Sequence, residues 1–375
     1  MKTVTVGLIA NPASGKDIRR LVAYGTVFDN QEKISMVRRM LLGLLVGGTD
    51  RVLYMPDYNG LVVRALDGLG SKYSYVDGIL RAKDQDGPGL RVEMIPLEVT
   101  ATQDDSRRAA ALMAQAKVDC LLVLGGDGTS RQVAKGASNT PILAISTGTN
   151  NVFPWLMEAT TAGLAAAAVA AGRAGPIAVY RAKRLVIRVN GEYADQALVD
   201  AAVSRKAWVG SRAVWEPCDL TEAVFTRGEP WNLGLASIIG LWDPVGPTDP
   251  YGAYVLFSPV KANLMAPIAP GLIRPVGVEL AGRLLAGQTR VVGPGPLTVA
   301  LDGERELEVG ASDQATIEVD LQGPLVVDPH LALAGATADR FFGQPALVGR
   351  LDRALTTENS LNNLGGQGNF GREDS

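Results

Sequence analysis

A short apolar run, Cys120 to Leu124, breaks without transition into Gly125-Gly126-Asp127-Gly128-Thr129, and a helix-compatible stretch from Ser130 to Ala137 follows. A continuous run of that length suits a parallel strand covered on both faces. The glycines then free the backbone and leave no Cβ in the way. A strand that ends in glycines and opens a helix directs bare N–H groups at whatever lies above it, and phosphate is the usual guest. Asp127 is the anomaly, because a carboxylate repels phosphate. It makes sense there if it holds a divalent metal or takes a proton from an attacking hydroxyl; otherwise it is a solvated turn residue.

Two commoner phosphate motifs are excluded. The dinucleotide fingerprint needs a third glycine, and counting from Gly126 and Gly128 that place is held by Arg131. Gly15-Lys16 hints at a Walker A loop, yet Ala10 stands where its first glycine belongs and Asp17 replaces the Ser/Thr.

A chain of 375 residues is expected to form two domains with a sizeable core. A net charge of −3 gives no electrostatic footprint for nucleic acid. Cys120 and Cys218 are the only cysteines and His330 the only histidine, so a disulfide framework, a thiolate zinc site and a multi-histidine metal site are all excluded. Acid–base work must fall mostly to carboxylates or lysines. The apolar run Val4 to Ala10 is too short to span a membrane, and the alanine-rich stretch Ala159 to Ala174 reads as a buried helix. No signal pattern opens the chain, so a cytoplasmic protein without nucleic-acid or membrane partners is expected.

Along the chain, strands are expected at Val4 to Ala10, Arg51 to Met55, Leu90 to Ile95, Cys120 to Leu124 and Pro141 to Ile145. Helices are expected at Asp29 to Leu45, Leu61 to Leu69, from an Asp104 cap to Lys117, and at Glu158 to Arg173. Tyr73 to Gly89 reads as a loop. Alternating strands and helices give an open, mostly parallel α/β sheet, which binds ligands beyond the carboxyl ends of its strands. Three loops rich in Gly, Ser, Thr and Asn emerge there: Asn11 to Lys16, Gly125 to Thr129, and Ser146 to Asn151. They read as one phosphate-facing rim.

The texture changes near Gly172 to Pro176. Short β-type runs follow, among them Arg184 to Val189, Ala197 to Val203, Leu235 to Leu241, Tyr254 to Phe257, Leu297 to Leu301 and Ala315 to Val319. The expected division is an α/β nucleotide-binding domain over residues 1–175, a β-rich substrate and assembly domain over 176–345, and a disordered tail over 356–375.

In chain order, Asn11-Pro12-Ala13-Ser14-Gly15, the Gly125 to Thr129 turn, Gly148-Thr149-Asn150-Asn151, Pro267-Ile268-Ala269-Pro270 with Arg274-Pro275, and Leu301-Asp302-Gly303-Glu304 resemble the motifs of the NAD kinase, diacylglycerol kinase and sphingosine kinase superfamily. Within it, the segment after Ser14-Gly15-Lys16, the run into Ser130-Arg131-Gln132-Val133, and Thr147 through Pro154 look most like the acetoin-catabolism protein X group. The resemblance implies an NAD-kinase-like α/β fold with a C-terminal β-rich domain. It also implies an ATP-dependent kinase that uses Mg2+ and a small-molecule hydroxyl acceptor, with NAD(H) as one candidate substrate and a nucleotide-binding regulator as the non-catalytic alternative. A homo-oligomer is expected.

On this reading, backbone N–H groups around Gly125, Gly126, Gly128 and Thr129 hold phosphates. Asn11, Ser14, Lys16, Thr147, Gly148, Thr149, Asn150 and Asn151 form the opposite rim. Asp127 is the acceptor's base or holds Mg2+ through water; Asp200 contacts a ribose or polar substrate; Glu304 contacts metal or ribose. The departures fall on the NAD side. Val199 stands where NAD kinases carry the amide of an Asn-acid pair, Gly252-Ala253-Tyr254 is all that remains of Gly-Ser-Thr-Ala-Tyr, and Gly271 lies nearest the lost histidine.

Overall fold

The structure, a computed structural model, describes residues 2–15, 23–26, 28–83, 88–205, 219–344 and 347. Lys16 and the tail over 356–375 lie outside the described residues.

The first half of the chain runs β1 (Thr5–Ala10), α1 (Asn30–Val46), β2 (Arg51–Tyr54), α2 (Leu61–Asp67), β3 (Tyr73–Val76), β4 (Ile79–Ala82), β5 (Leu90–Met94), α3 (Asp104–Gln115), β6 (Cys120–Gly125), α4 (Asp127–Gly136), β7 (Ile142–Ser146), α5 (Ala159–Ala170) and β8 (Val179–Arg181). The second half runs β9 (Arg184–Val189), β10 (Glu192–Ala197), β11 (Asp200–Ser204), β12 (Leu220–Phe225), α6 (Ala236–Trp242), β13 (Tyr251–Phe257), β14 (Leu264–Ala269), β15 (Leu272–Val276), β16 (Val278–Leu285), β17 (Thr289–Val292), β18 (Leu297–Leu301), β19 (Glu304–Val309), β20 (Ala315–Asp320), β21 (Leu325–Val327) and α7 (Pro329–Ala338).

Nine strands form the first sheet in the order β3-β4-β5-β2-β1-β6-β7-β21-β8. Its centre is parallel, as continuous apolar runs require when both faces are covered. Leu8 and Leu122 pack on one face against α1 and α5, while Ile9 and Val123 pack on the other with residues of α3 and α4. Small residues let α1 and α5 approach closely. A Cβ on Gly43 would lie 2.3 Å from the carbonyl of Thr160, and one on Gly163 would lie 2.4 Å from that of Met40.

The β-rich part contains a six-stranded antiparallel sheet, β16-β13-β12-β11-β18-β19, and a four-stranded sheet, β10-β9-β20-β17. Leu185 and Ile187 from one meet Val203, Val299 and Leu301 from the other in a shared core. The α/β class with a β-rich second half is therefore what the chain folds into.

Five local expectations differ from the structure. Tyr73 to Gly89 was expected as loop but contains the β3–β4 hairpin; Asp77-Gly78, with φ of +51° and +76°, is the two-residue turn that joins the strands. Leu235 to Leu241 was expected as a strand but lies in α6, where Ile238 and Ile239 fill a core, since a short apolar run does not declare its period. The helix expected from Ser130 begins at Asp127, with Gly126 extended at its cap. Gln103 holds the cap position assigned to Asp104, and Asp105 instead accepts the Thr100 and Ala101 N–H groups. The run Ala197 to Val203 is split, because Leu198 and Val199 turn their N–H groups to Asp302. The first sheet also takes β8 and β21 from beyond residue 175, so the chain returns to it after the β-rich part.

Candidate active site

β1, β6 and β7 are adjacent and parallel, so their carboxyl-end loops emerge side by side. They frame a cavity of about 230 Å³. Asn11 and Ser14 line it from the first loop, Gly126, Asp127, Gly128 and Thr129 from the second, and Gly148, Thr149, Asn150 and Asn151 from the third. Gly25 and Thr26 close one side; Gln103, Gln132, Asp302 and Glu304 close the other. Among the described lining residues, no lysine or arginine is present.

Side-chain hydrogen bonds lace the three loops together. Asn11 Nδ2 donates to Thr129 Oγ1 at 2.8 Å, and Thr147 Oγ1 donates to Ser14 Oγ at 3.0 Å. Asn151 Nδ2 donates to Ser146 Oγ at 2.7 Å, while its Oδ1 accepts the Asp127 N–H at 3.3 Å. The carboxylate of Asp127 reaches back across the gap, accepting from Val152 N at 3.1 Å and Phe153 N at 2.8 Å. Asp127 is thus the first residue of α4 and a clamp on the third loop.

The glycines divide the labour. A Cβ on Gly126 would sit 2.8 Å from Asn151 Oδ1, so that position must be bare for the clamp to close. A Cβ on Gly128 would meet nothing nearer than the Glu304 carboxylate at 3.9 Å, so this position faces open space. Gly126 at the cap position brings no side chain to α4, and of the first N–H groups that of Asp127 goes to Asn151 Oδ1. The N–H groups of Gly128 and Thr129 belong to the turn that has no intrahelical acceptor, at the positive end of the helix.

Three expected site residues stand off the cavity wall. Gly125 lies beneath it, where a Cβ would press on the Thr129 side chain at 2.6 Å. Thr147 is fully buried and ties the first loop to the third. Asp200 is buried in β11, where its carbonyl accepts the Asp302 N–H. Lys16 lies outside the described residues.

Three other residues emerge only in three dimensions. Lys33 is fully buried, and its Nζ donates to the carbonyls of Pro12 at 2.9 Å and Ser14 at 2.6 Å, holding the first loop from behind. Asp302 accepts from Leu198 N at 2.9 Å and Val199 N at 2.8 Å, and its other oxygen lies 3.6 Å from Nε of the fully buried Arg131. Burial, with the Asp127 charge adding to it against Arg131 and the two amides, pushes the Asp302 carboxyl up to about 7. The Asp-Gly pair at 302–303 was a turn signal, and Arg131 falls one helical turn after Asp127; nothing local marked Lys33.

Among the described residues, no group of three or more His, Cys, Asp or Glu is arranged to hold a metal. Mg2+ needs only one or two carboxylates when phosphates and water fill its remaining positions. Asp127 and Glu304, on the wall that Gly128 leaves open, fit that lesser requirement.

Residues 6–174 match the ATP-NAD kinase N-terminal domain, and residues 183–322 match the acetoin catabolism protein X C-terminal domain. The acetoin catabolism protein X of Cupriavidus necator is 38% identical over 355 residues, covering 92% of this chain and 96% of that protein. Yeast NADH kinase, solved in complex with NADH, superposes with a TM-score of 0.50 at 14% identity, covering 89% of this chain and 86% of its own. A diacylglycerol kinase from Bacillus anthracis gives a TM-score of 0.40 at 14% identity over 88% of this chain and 99% of its own. At 14% identity the yeast enzyme bears on the fold alone.

Proposed function

The chain belongs to the acetoin catabolism protein X family, and on that premise we propose that its cavity transfers the terminal phosphoryl group of ATP to a hydroxyl of a small acceptor. One observation carries the reading. Asp127 opens α4 on the cavity wall, beside the Gly128 and Thr129 N–H groups, with its carboxylate oriented by two backbone amides.

Phosphoryl transfer demands positioning and charge neutralisation more than covalent help from the protein. The amides of Gly128 and Thr129 hold phosphate oxygens at the helix N-terminus. Asp127 accepts the proton of the acceptor hydroxyl as that oxygen bonds to phosphorus; the bond to the leaving phosphate breaks, and ADP departs with its electron pair. Asp127 or Glu304 would hold Mg2+ through water, and the ion would supply neutralising charge in a cavity whose described walls carry carboxylates and no cationic side chain.

The acceptor is a small hydroxy compound rather than a dinucleotide. Val199 is 1% exposed within an apolar cluster, and Asp200 lies off the cavity wall, so neither side chain reaches a ribose there. ADP release from ATP and Mg2+, screened over small alcohols, diols and hydroxyketones beside NAD and NADH, tests the reading. Turnover with a small acceptor supports it; turnover with NAD or NADH alone contradicts the assignment of acceptor, and none with any compound contradicts transfer itself.

A further inference from the structure

Two acidic residues that line the cavity, Asp127 and Glu304, come from different parts of the fold. Asp127 belongs to α4 of the parallel sheet, and Glu304 opens β19 of the β-rich part. α4 meets that second part at Asp302, two positions before Glu304. Asp302 has a left-handed backbone at φ +52°, held by its N–H to the Asp200 carbonyl. One carboxylate oxygen takes the Leu198 and Val199 N–H groups, which pins it to the β-rich part. The other makes no hydrogen bond among the described residues and lies 3.6 Å from Arg131 Nε, on α4 one turn beyond Asp127. Both side chains are fully buried.

A second contact runs parallel to it. Asp195 of β10 lies 3.9 Å from Arg131 Nη1 and 2.5 Å from Lys135 Nζ. Charges withdrawn from water in this way tolerate little misplacement, because an uncompensated buried charge is strongly unfavourable.

We propose that Asp302 is a positioning residue of the reaction centre, which acts through Arg131 to hold the α4 helix so that Asp127 keeps its place on the cavity wall. The proposal rests on the phosphoryl-transfer reading above. Asp302 meets Arg131 and Asp127 from α4, has Asp200 and the two amides beside it, and shares the Arg131 cluster with Asp195 and Lys135. The Asp302 carboxylate and the Arg131 guanidinium meet with both side chains fully buried, so the contact sets where α4 lies against the β-rich part.

Asp302→Asn keeps an oxygen for the two amides and removes only the charge opposite Arg131. The assay is ADP release from ATP and Mg2+ with the small hydroxy compound that gives most turnover in the screen above, beside calorimetry of ATP binding. The kcat of Asp302→Asn should fall by roughly 10- to 100-fold, since small displacements of reacting groups cost that much. ATP affinity should stay within about threefold, because the α4 amides remain. A folded Asp302→Asn with wild-type kcat overturns the proposal, and so does a loss of ATP affinity that matches the loss of kcat. Should Asp302→Asn not fold, Arg131→Lys, which keeps the charge and alters its reach to Asp302, takes its place, and wild-type kcat there overturns the proposal. If the wild type releases no ADP with any acceptor, the phosphoryl-transfer reading fails. Hydrogen exchange then tests the coupling: faster exchange at Gly128 to Ser130 in Asp302→Asn supports it, and unchanged exchange overturns it.

Discussion

Phe153 donates its backbone N–H to Asp127 Oδ1 at 2.8 Å, so the carboxylate that faces the cavity also fastens the third rim loop. Position and orientation are set by the same bond. The loop cannot move without turning the carboxylate, and a change to the carboxylate is felt in the loop.

Lys33→Met should destabilise the protein while leaving the helix it sits on intact. Methionine fills similar space, but the carbonyls of Pro12 and Ser14 lose their buried donor. The expected loss is ~2–4 kcal/mol, read from denaturant unfolding. A change below about 0.5 kcal/mol would remove Lys33 from the account of the first loop.

Gly128→Ala should separate binding from stability. The new methyl has room, with the Glu304 carboxylate at 3.9 Å as its nearest neighbour, so the melting temperature should move by no more than about 2 °C. The methyl stands before the α4 amides, and ATP affinity should fall by roughly tenfold, or about 1.4 kcal/mol. Unchanged affinity by calorimetry would mean that phosphate binds elsewhere.

Val199→Asn should not create an NAD kinase. The side chain is 1% exposed among apolar neighbours, so an amide there is buried rather than delivered to the cavity. Stability should fall by about 1–3 kcal/mol. NADP formation from NAD should stay at the wild-type level, and a clear gain would show that this position does reach substrate.

Asp302 should make the fold less stable in mild alkali than in mild acid. Its carboxyl titrates at about 7 when folded, against the ordinary value near 4 when unfolded, so the native state binds the proton more tightly. That contribution is complete below about pH 4 and is lost as pH rises through about 7. Asp302→Asn should therefore have a melting temperature that falls less than wild type's between pH 6 and pH 8. Parallel curves would contradict the raised carboxyl.

The strand, glycine turn and helix around Asp127 were legible because the hydrophobic pattern changes period across Gly125 to Gly128. The three rim loops were legible because small polar residues follow three apolar runs that must lie parallel. Other features were written less plainly. Asp77-Gly78 was a two-residue hairpin signal inside a polar stretch that reads as loop. Lys33 sits in a helix whose pattern places Ile34 and Val37 inward, and only the path of the first loop shows why an ammonium is buried beside them. Arg131 and Asp302 meet across the fold, far apart in the chain, and neither carries a local mark of its partner.

Asp127→Asn is the most direct test of the account. Asparagine can keep its oxygen toward Val152 and Phe153, so the variant should fold and hold the third loop. ATP binding by calorimetry should stay within about tenfold of wild type, since the α4 amides remain. ADP release on whichever acceptor proves active should fall by roughly 100-fold or more, as loss of a general base requires. Turnover retained within about threefold in a folded, ATP-binding variant would contradict the account, because it would leave Asp127 as a clamp on the loop and nothing more.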